Sequence, residues 1–140
     1  MASFWDNLVA KYKQGGLVEK LIFINVAVFL IQAVLTVFFK LFGLNISSLL
    51  VWLEVPASLS KLLFRPWTLF TYMFVHANLM HLFFNMLWLY FFGRLFLRYF
   101  GNRQFIIVYL GGGLAGALLY LLGYNLLPYY RPMVDFSILA

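Results

Sequence analysis

Three long apolar runs divide the chain, separated by stretches in which charges, prolines and small polar residues collect. Leu21 to Phe39 is 19 residues without a charge, flanked by Lys20 and Lys40. About 20 apolar residues cross the hydrocarbon core of a bilayer, so this run predicts a first membrane-spanning helix over about 20–42. Pro66 to Gly93 is 28 residues without a formal charge. As one helix it would reach about 42 Å, more than the ~30 Å core requires, so part of it is predicted not to span. Asn78 is placed to cap a helix N-terminus, which gives a second span over about 78–97 with Arg94 and Arg98 snorkelling at its far end. Gly101-Asn102-Arg103 reads as a turn. The uncharged run from Gln104 then gives a third span over about 103–124, ended by Gly123, Asn125 and Pro128.

The intervening stretches are of two kinds. Residues 1–19 place Phe4, Leu8, Val9 and Tyr12 at helical spacing among Asp6, Lys11 and Lys13. That is the pattern of a short interfacial helix, and Gly15-Gly16 stops it. Residues 43–66 mix short apolar pieces with Asn45, Ser47, Ser48, Glu54, Pro56, Ser58, Ser60, Lys61 and Arg65. They predict no clean span but a segment lying partly in the membrane interface, its non-helical backbone shielded by protein. In the third run, Gly112/Gly116, Gly111/Ala115 and Gly113/Ala117 are four-residue steps of small residues. Such a face lets another backbone approach closely, from a neighbouring helix of this chain or from a second copy, so the oligomeric state stays open. Pro128 to Asp135 reads as a polar, aromatic loop, and Phe136 to Ala140 as the start of another apolar segment.

Composition agrees with this pattern and narrows it. The chain is 65% hydrophobic and 10% charged, against about 45–50% and 25% in soluble domains. With a mean hydropathy of +0.94, it reads as an all-α integral membrane protein, a polytopic bundle of about three transmembrane helices. A β-barrel would need alternating ~10-residue segments, which the long uncharged runs are not. The net charge of +6 is scattered singly between apolar runs, as loop and snorkelling charges are, and does not suggest a nucleic-acid partner. The absence of cysteine excludes disulfides, thiolate metal sites and a thiol nucleophile. The N-terminus lacks a short apolar region ending in a small-residue cleavage site, so the first span is expected to remain as an anchor. The N-terminal tail and the turn after the second span carry six Lys and Arg; the first and last loops carry four. The heavier side is expected to be cytoplasmic, which puts the N-terminus there.

Polar residues inside such runs are expensive and are functional candidates by default. Asn25, Gln32 and Thr36 in the first span are expected to make interhelical or backbone hydrogen bonds. The second run holds the only two histidines, His76 and His81, followed by Asn85. His81 and Asn85 are one i,i+4 step apart and share a helix face. His76 precedes the cap and is expected off that face, folded over the helix mouth. A neutral imidazole and an amide each offer an N–H donor. Two donors converging near a helix N-terminus in a water-poor site can stabilise an oxyanion. The bland alternative is that they only bond to neighbouring helices. Two histidines with no cysteine and no adjacent carboxylate are a poor zinc set, and their closeness along one segment does not suit axial haem ligation. No metal or cofactor is expected.

At these residues the sequence resembles the rhomboid family of intramembrane serine proteases. Trp67, His76, His81, Asn85, Met86 and Gly93 follow that family's pattern for the first loop and second transmembrane helix. The likeness extends over about residues 20–140 and implies the start of a six-helix core whose first loop, residues 43–66, is embedded in the membrane. It also implies that His81 and Asn85 contribute to an oxyanion hole and that His76 supports them through hydrogen bonds. The substrates would be transmembrane segments of other proteins. Three departures stand out. The family's Trp-Arg pair reads Trp67-Thr68, with Arg65 two residues earlier; Leu97 lies where an acidic residue is often found. The Gly-x-Ser nucleophile and the later histidine base have no counterpart, since Ser137 follows Val-Asp-Phe and no histidine follows His81. Ser3, Ser47, Ser48, Ser58 and Ser60 lack the setting of an activated nucleophile. The expectation is therefore an N-terminal portion of such an enzyme, inactive by itself as residues 1–140. The alternatives are a catalytically inactive relative that binds client helices, or a three-helix scaffold.

Overall fold

The structure is a computed structural model and describes residues 3–44 and 46–126. The expected loop over 128–135, Ser137 and the apolar start at 136–140 lie outside the described residues. All regular structure among those described is helical: α1 Phe4–Gln14, α2 Leu17–Leu41, α3 Ser47–Leu50, α4 Leu59–Phe64, α5 Thr68–Thr71 continuing into a 3-10 turn Tyr72–Phe74, α6 Leu79–Tyr99 and α7 Asn102–Leu126. Three of these, α2, α6 and α7, are long and apolar enough to cross a membrane. Between 6% and 17% of the most apolar stretch of each is buried inside the protein. The remaining apolar surface faces outward, as side chains solvated by lipid must.

The described chain forms two compact units. One takes residues up to 38 with 74–107, the other 39–73 with the residues from 108 onward. In the first unit, α1 is started by a reciprocal cap: Ser3 N–H donates to Asp6 and the Asp6 N–H to Ser3 Oγ. Gly16 accepts the Lys20 N–H, and α2 begins at Leu17. Glu19 in its first turn pairs with Arg94 near the end of α6, at 2.8 Å. The nearby Lys20 ammonium lies 5.9 Å from the Tyr12 ring centre. At Gly93, a Cβ would fall 2.7 Å from Val18 Cγ2 and 3.3 Å from the Phe105 ring. Glycine there lets α2, α6 and the start of α7 close on one another around buried Val18 and Phe105.

In the second unit the segment from α3 to the 3-10 turn packs against α7. Ile46, Ala57, Ala117 and Leu121 are its buried apolar residues, and Asn125 donates to the Ala57 carbonyl. The small-residue face of α7 divides here. Gly113 receives the Met73 side chain and the Tyr72 hydroxyl bonds its carbonyl, while Gly116 lies beside that same hydroxyl. Gly111 and Gly112 meet nothing among the described residues. The space at Gly113 and Gly116 is taken by Tyr72 and Met73 of the 3-10 turn.

Candidate functional site

The 28-residue uncharged run is broken where the length argument requires. Helix α5 and its 3-10 turn stop at Phe74, Val75 and His76 have no regular structure, and α6 starts after an extended Asn78 (φ −158°, ψ 171°). The Asn78 side chain accepts the His81 N–H at 2.9 Å, satisfying one of the orphan donors of the first helical turn. This cap consumes the His81 backbone N–H and leaves its ring as that residue's free donor. Asn85 follows one turn on, about 6 Å further along the axis. Both His81 and Asn85 are exposed, and among the described residues no hydrogen bond engages the His81 ring or the Asn85 amide. They share the face that their spacing predicts, with no hydrogen bond between them.

His76 is the opposite case. It is 2% exposed, and its Nδ1 lies 3.1 Å from the Phe74 carbonyl. A carbonyl can only accept, so Nδ1 carries the proton and Nε2 is left bare in the neutral ring. Burial holds the imidazole below the ordinary histidine value of 6.5; the Phe74 carbonyl opposes this and the His81 charge adds to it. The ring meets His81 edge-on, centroids 5.4 Å apart at 60°. Its backbone carbonyl accepts from Gln32 Nε2 of α2 at 3.2 Å. The structure thus brings His76 and His81 together and adds Gln32, which sequence reasoning singled out only as a polar group in need of a partner. Asn25 and Thr36 turn back to their own helix, on the Leu21 and Gln32 carbonyls.

The family model for the Rhomboid domain matches residues 63–137, more than half of the chain. The chain belongs to the rhomboid family. No solved structure matches it. Membership, with three helices of spanning length and composition, makes this an integral membrane protein in a lipid bilayer.

The segment 51–71 is anchored by its own side chains. Thr68 is fully buried and donates to the Arg65 carbonyl at 2.7 Å. Arg65 reaches back instead: its Nη1 donates to the Val51 carbonyl at 3.2 Å and its guanidinium sits 4.1 Å from the Trp52 ring centre. Trp67 stacks parallel to Trp52 (6.3 Å, 3°) and its Nε1 donates to the Trp52 carbonyl. Thr71 Oγ1 donates to the Leu53 carbonyl at 2.8 Å. Three successive carbonyls, 51 to 53, are thereby held by three side chains of the segment 65–71.

Proposed function

We propose that this chain supplies the oxyanion-stabilising half of a rhomboid-type intramembrane serine endopeptidase, which cleaves substrate transmembrane segments by acyl transfer. The observation that carries the reading is the two-donor face at the start of α6: the exposed His81 and Asn85 side chains one turn apart, with the His81 backbone already capped. Attack on a peptide carbonyl moves negative charge onto its oxygen. Preorganised donors near a helix N-terminus stabilise that charge in the transition state more than in the ground state. His76 supports the site by packing against His81 as a neutral ring, so that it places no positive charge beside the donor.

Neither a Gly-x-Ser serine nor a histidine after His81 occurs among these 140 residues, so formation of the acyl bond is assigned to groups outside them and Ser137 is given no role. With the N-terminus cytoplasmic, the histidine end of α6 faces the opposite side of the membrane.

The test is cleavage of a membrane-spanning substrate by the protein as its gene encodes it. His81→Ala and Asn85→Ala should each lower kcat about 100-fold, as loss of one oxyanion donor does, with KM little changed. Residues 1–140 alone should give no cleavage. Equal turnover by wild type and both variants refutes the reading. Retained binding of client helices with no cleavage by the full gene product would instead establish a non-proteolytic relative.

A further inference from the structure

Gln32 sits mid-way along α2 and 44 residues from the segment it contacts. Its Nε2 donates to the His76 carbonyl at 3.2 Å, while its Oε1 is buried with no hydrogen-bond partner among the described residues. The amide cannot be turned the other way, because two carbonyl oxygens would then face one another. A buried carbonyl oxygen left unpaired is unfavourable, and an apolar side chain of the same length would avoid it. The hydrogen bond to His76 is therefore the reason an amide belongs at this position. That bond lands on a stretch with no backbone hydrogen-bond ladder of its own, since Val75 and His76 lie between the 3-10 turn and the α6 cap.

We propose that Gln32 is a positioning residue: it ties the unladdered peptide of His76 to the first spanning helix, and through the His76 ring it sets the orientation of the His81 ring. The sequence of contacts is short. Gln32 Nε2 holds the His76 carbonyl, the His76 Nδ1–H is held by the Phe74 carbonyl, and the buried His76 ring abuts His81 edge-on. With both its carbonyl and Nδ1 fixed, the His76 ring has one pose and one tautomer. Without Gln32 the carbonyl loses its only described side-chain donor, and the ring is free to swing from under His81 toward water. The inference that this arrangement serves catalysis rests on the function proposed above. The positioning itself does not, and it is read out without any substrate.

The chain's two histidines make the experiment selective. In lipid bilayers, the full 140-residue chain carrying ¹⁵N in glutamine side chains and ¹³C in histidine carbonyls should show one through-space contact, Gln32 to His76. Absence of that contact overturns the proposal with no mutation involved. Imidazole ¹⁵N spectra of wild type should show His76 as a neutral Nδ1–H ring that resists protonation. In Gln32→Leu the single tautomer should give way to a mixture, the His76 titration midpoint should move up toward the ordinary value, and the His81 ring signals should shift with it. Thr36→Val, one turn along the same helix, should leave both rings unmoved. Gln32→Met serves where leucine's branching disturbs α2. Unchanged His76 tautomer and His81 signals in a folded Gln32 variant refute the positioning role. Loss of cleavage in His81→Ala bears only on the proposed function, so the two failures are separable.

Discussion

A histidine sealed against water is a pH-dependent element whatever its chemical role, and His76 is sealed to 2% exposure. Burial lowers its proton affinity in the folded protein relative to the ordinary value of 6.5. The unfolded chain therefore binds more protons between the depressed folded value and 6.5, and stability falls as pH drops through that window. Above it the ring is neutral in both states and the contribution is constant. His81 faces the ring directly, so its positive charge deepens the loss. Glu54 works the other way: exposed overall, its carboxyl is nonetheless raised by partial burial, and it favours the folded state as pH falls toward its own range. The difference between two proteins is thus the clean readout. From pH 7.5 to 5, wild-type chain in bicelles should lose thermal stability, and His76→Asn should lose less. Equal slopes for the two would show that the His76 ring is protonated in the folded state without penalty.

At the scale of elements, legibility followed the range over which each residue's partner acts. Asn78 was readable as a cap because its partner is three residues away and because 28 uncharged residues are too long for one span. The His81–Asn85 face followed from helical register alone. Gln32 was visible only as an amide in an apolar run; nothing local to it names His76. Arg94 reads in the sequence as a snorkelling base, and its pairing with Glu19, 75 residues away, requires the α2–α6 approach at Gly93. The loop is the sharpest case, because its arginine stands two residues before Trp67 and nothing local names its partners. Arg65 in fact reaches the Val51 carbonyl and the Trp52 ring, and Trp67 and Thr71 take the next two carbonyls. A planar guanidinium can donate and stack at once, which an ammonium cannot reproduce. Arg65→Lys should therefore speed hydrogen exchange of the amides over 49–56 several-fold, while exchange in α6 stays unchanged. Trp67→Phe, which keeps the stack and removes the donor, should give a smaller increase. Undisturbed exchange in Arg65→Lys would reduce the clamp to a charge effect.

For the whole molecule, the large outward apolar surface is a consequence of the solvent. Few residues are buried, while Leu30, Val34, Phe83, Phe91, Leu118 and Leu119 on the three long helices are more than half exposed. In water such surface would aggregate; in lipid it needs no protein partner, and association must come from small residues, polar bonds and close packing. The described protein uses each of these: Gly93 against Val18, Gln32 on the His76 carbonyl, Met73 and Tyr72 on Gly113. What the bilayer adds is direction, set by the distribution of basic residues. Six of the ten Lys and Arg fall in residues 1–20 and around the α6–α7 junction, which predicts a cytoplasmic position for both. The absence of native cysteine lets each position be queried alone. Single replacements Lys13→Cys and Arg103→Cys should react with a membrane-impermeant maleimide only from the cytoplasmic side, and Lys61→Cys only from the other. Each replacement also removes a charge, so the pair Asn7→Cys and Asn102→Cys, which keeps all ten basic residues, guards against an inverted topology caused by the probe itself. Labelling of Asn7→Cys from the outer side would invert the orientation and put the His76–His81 end of α6 at the cytoplasmic face.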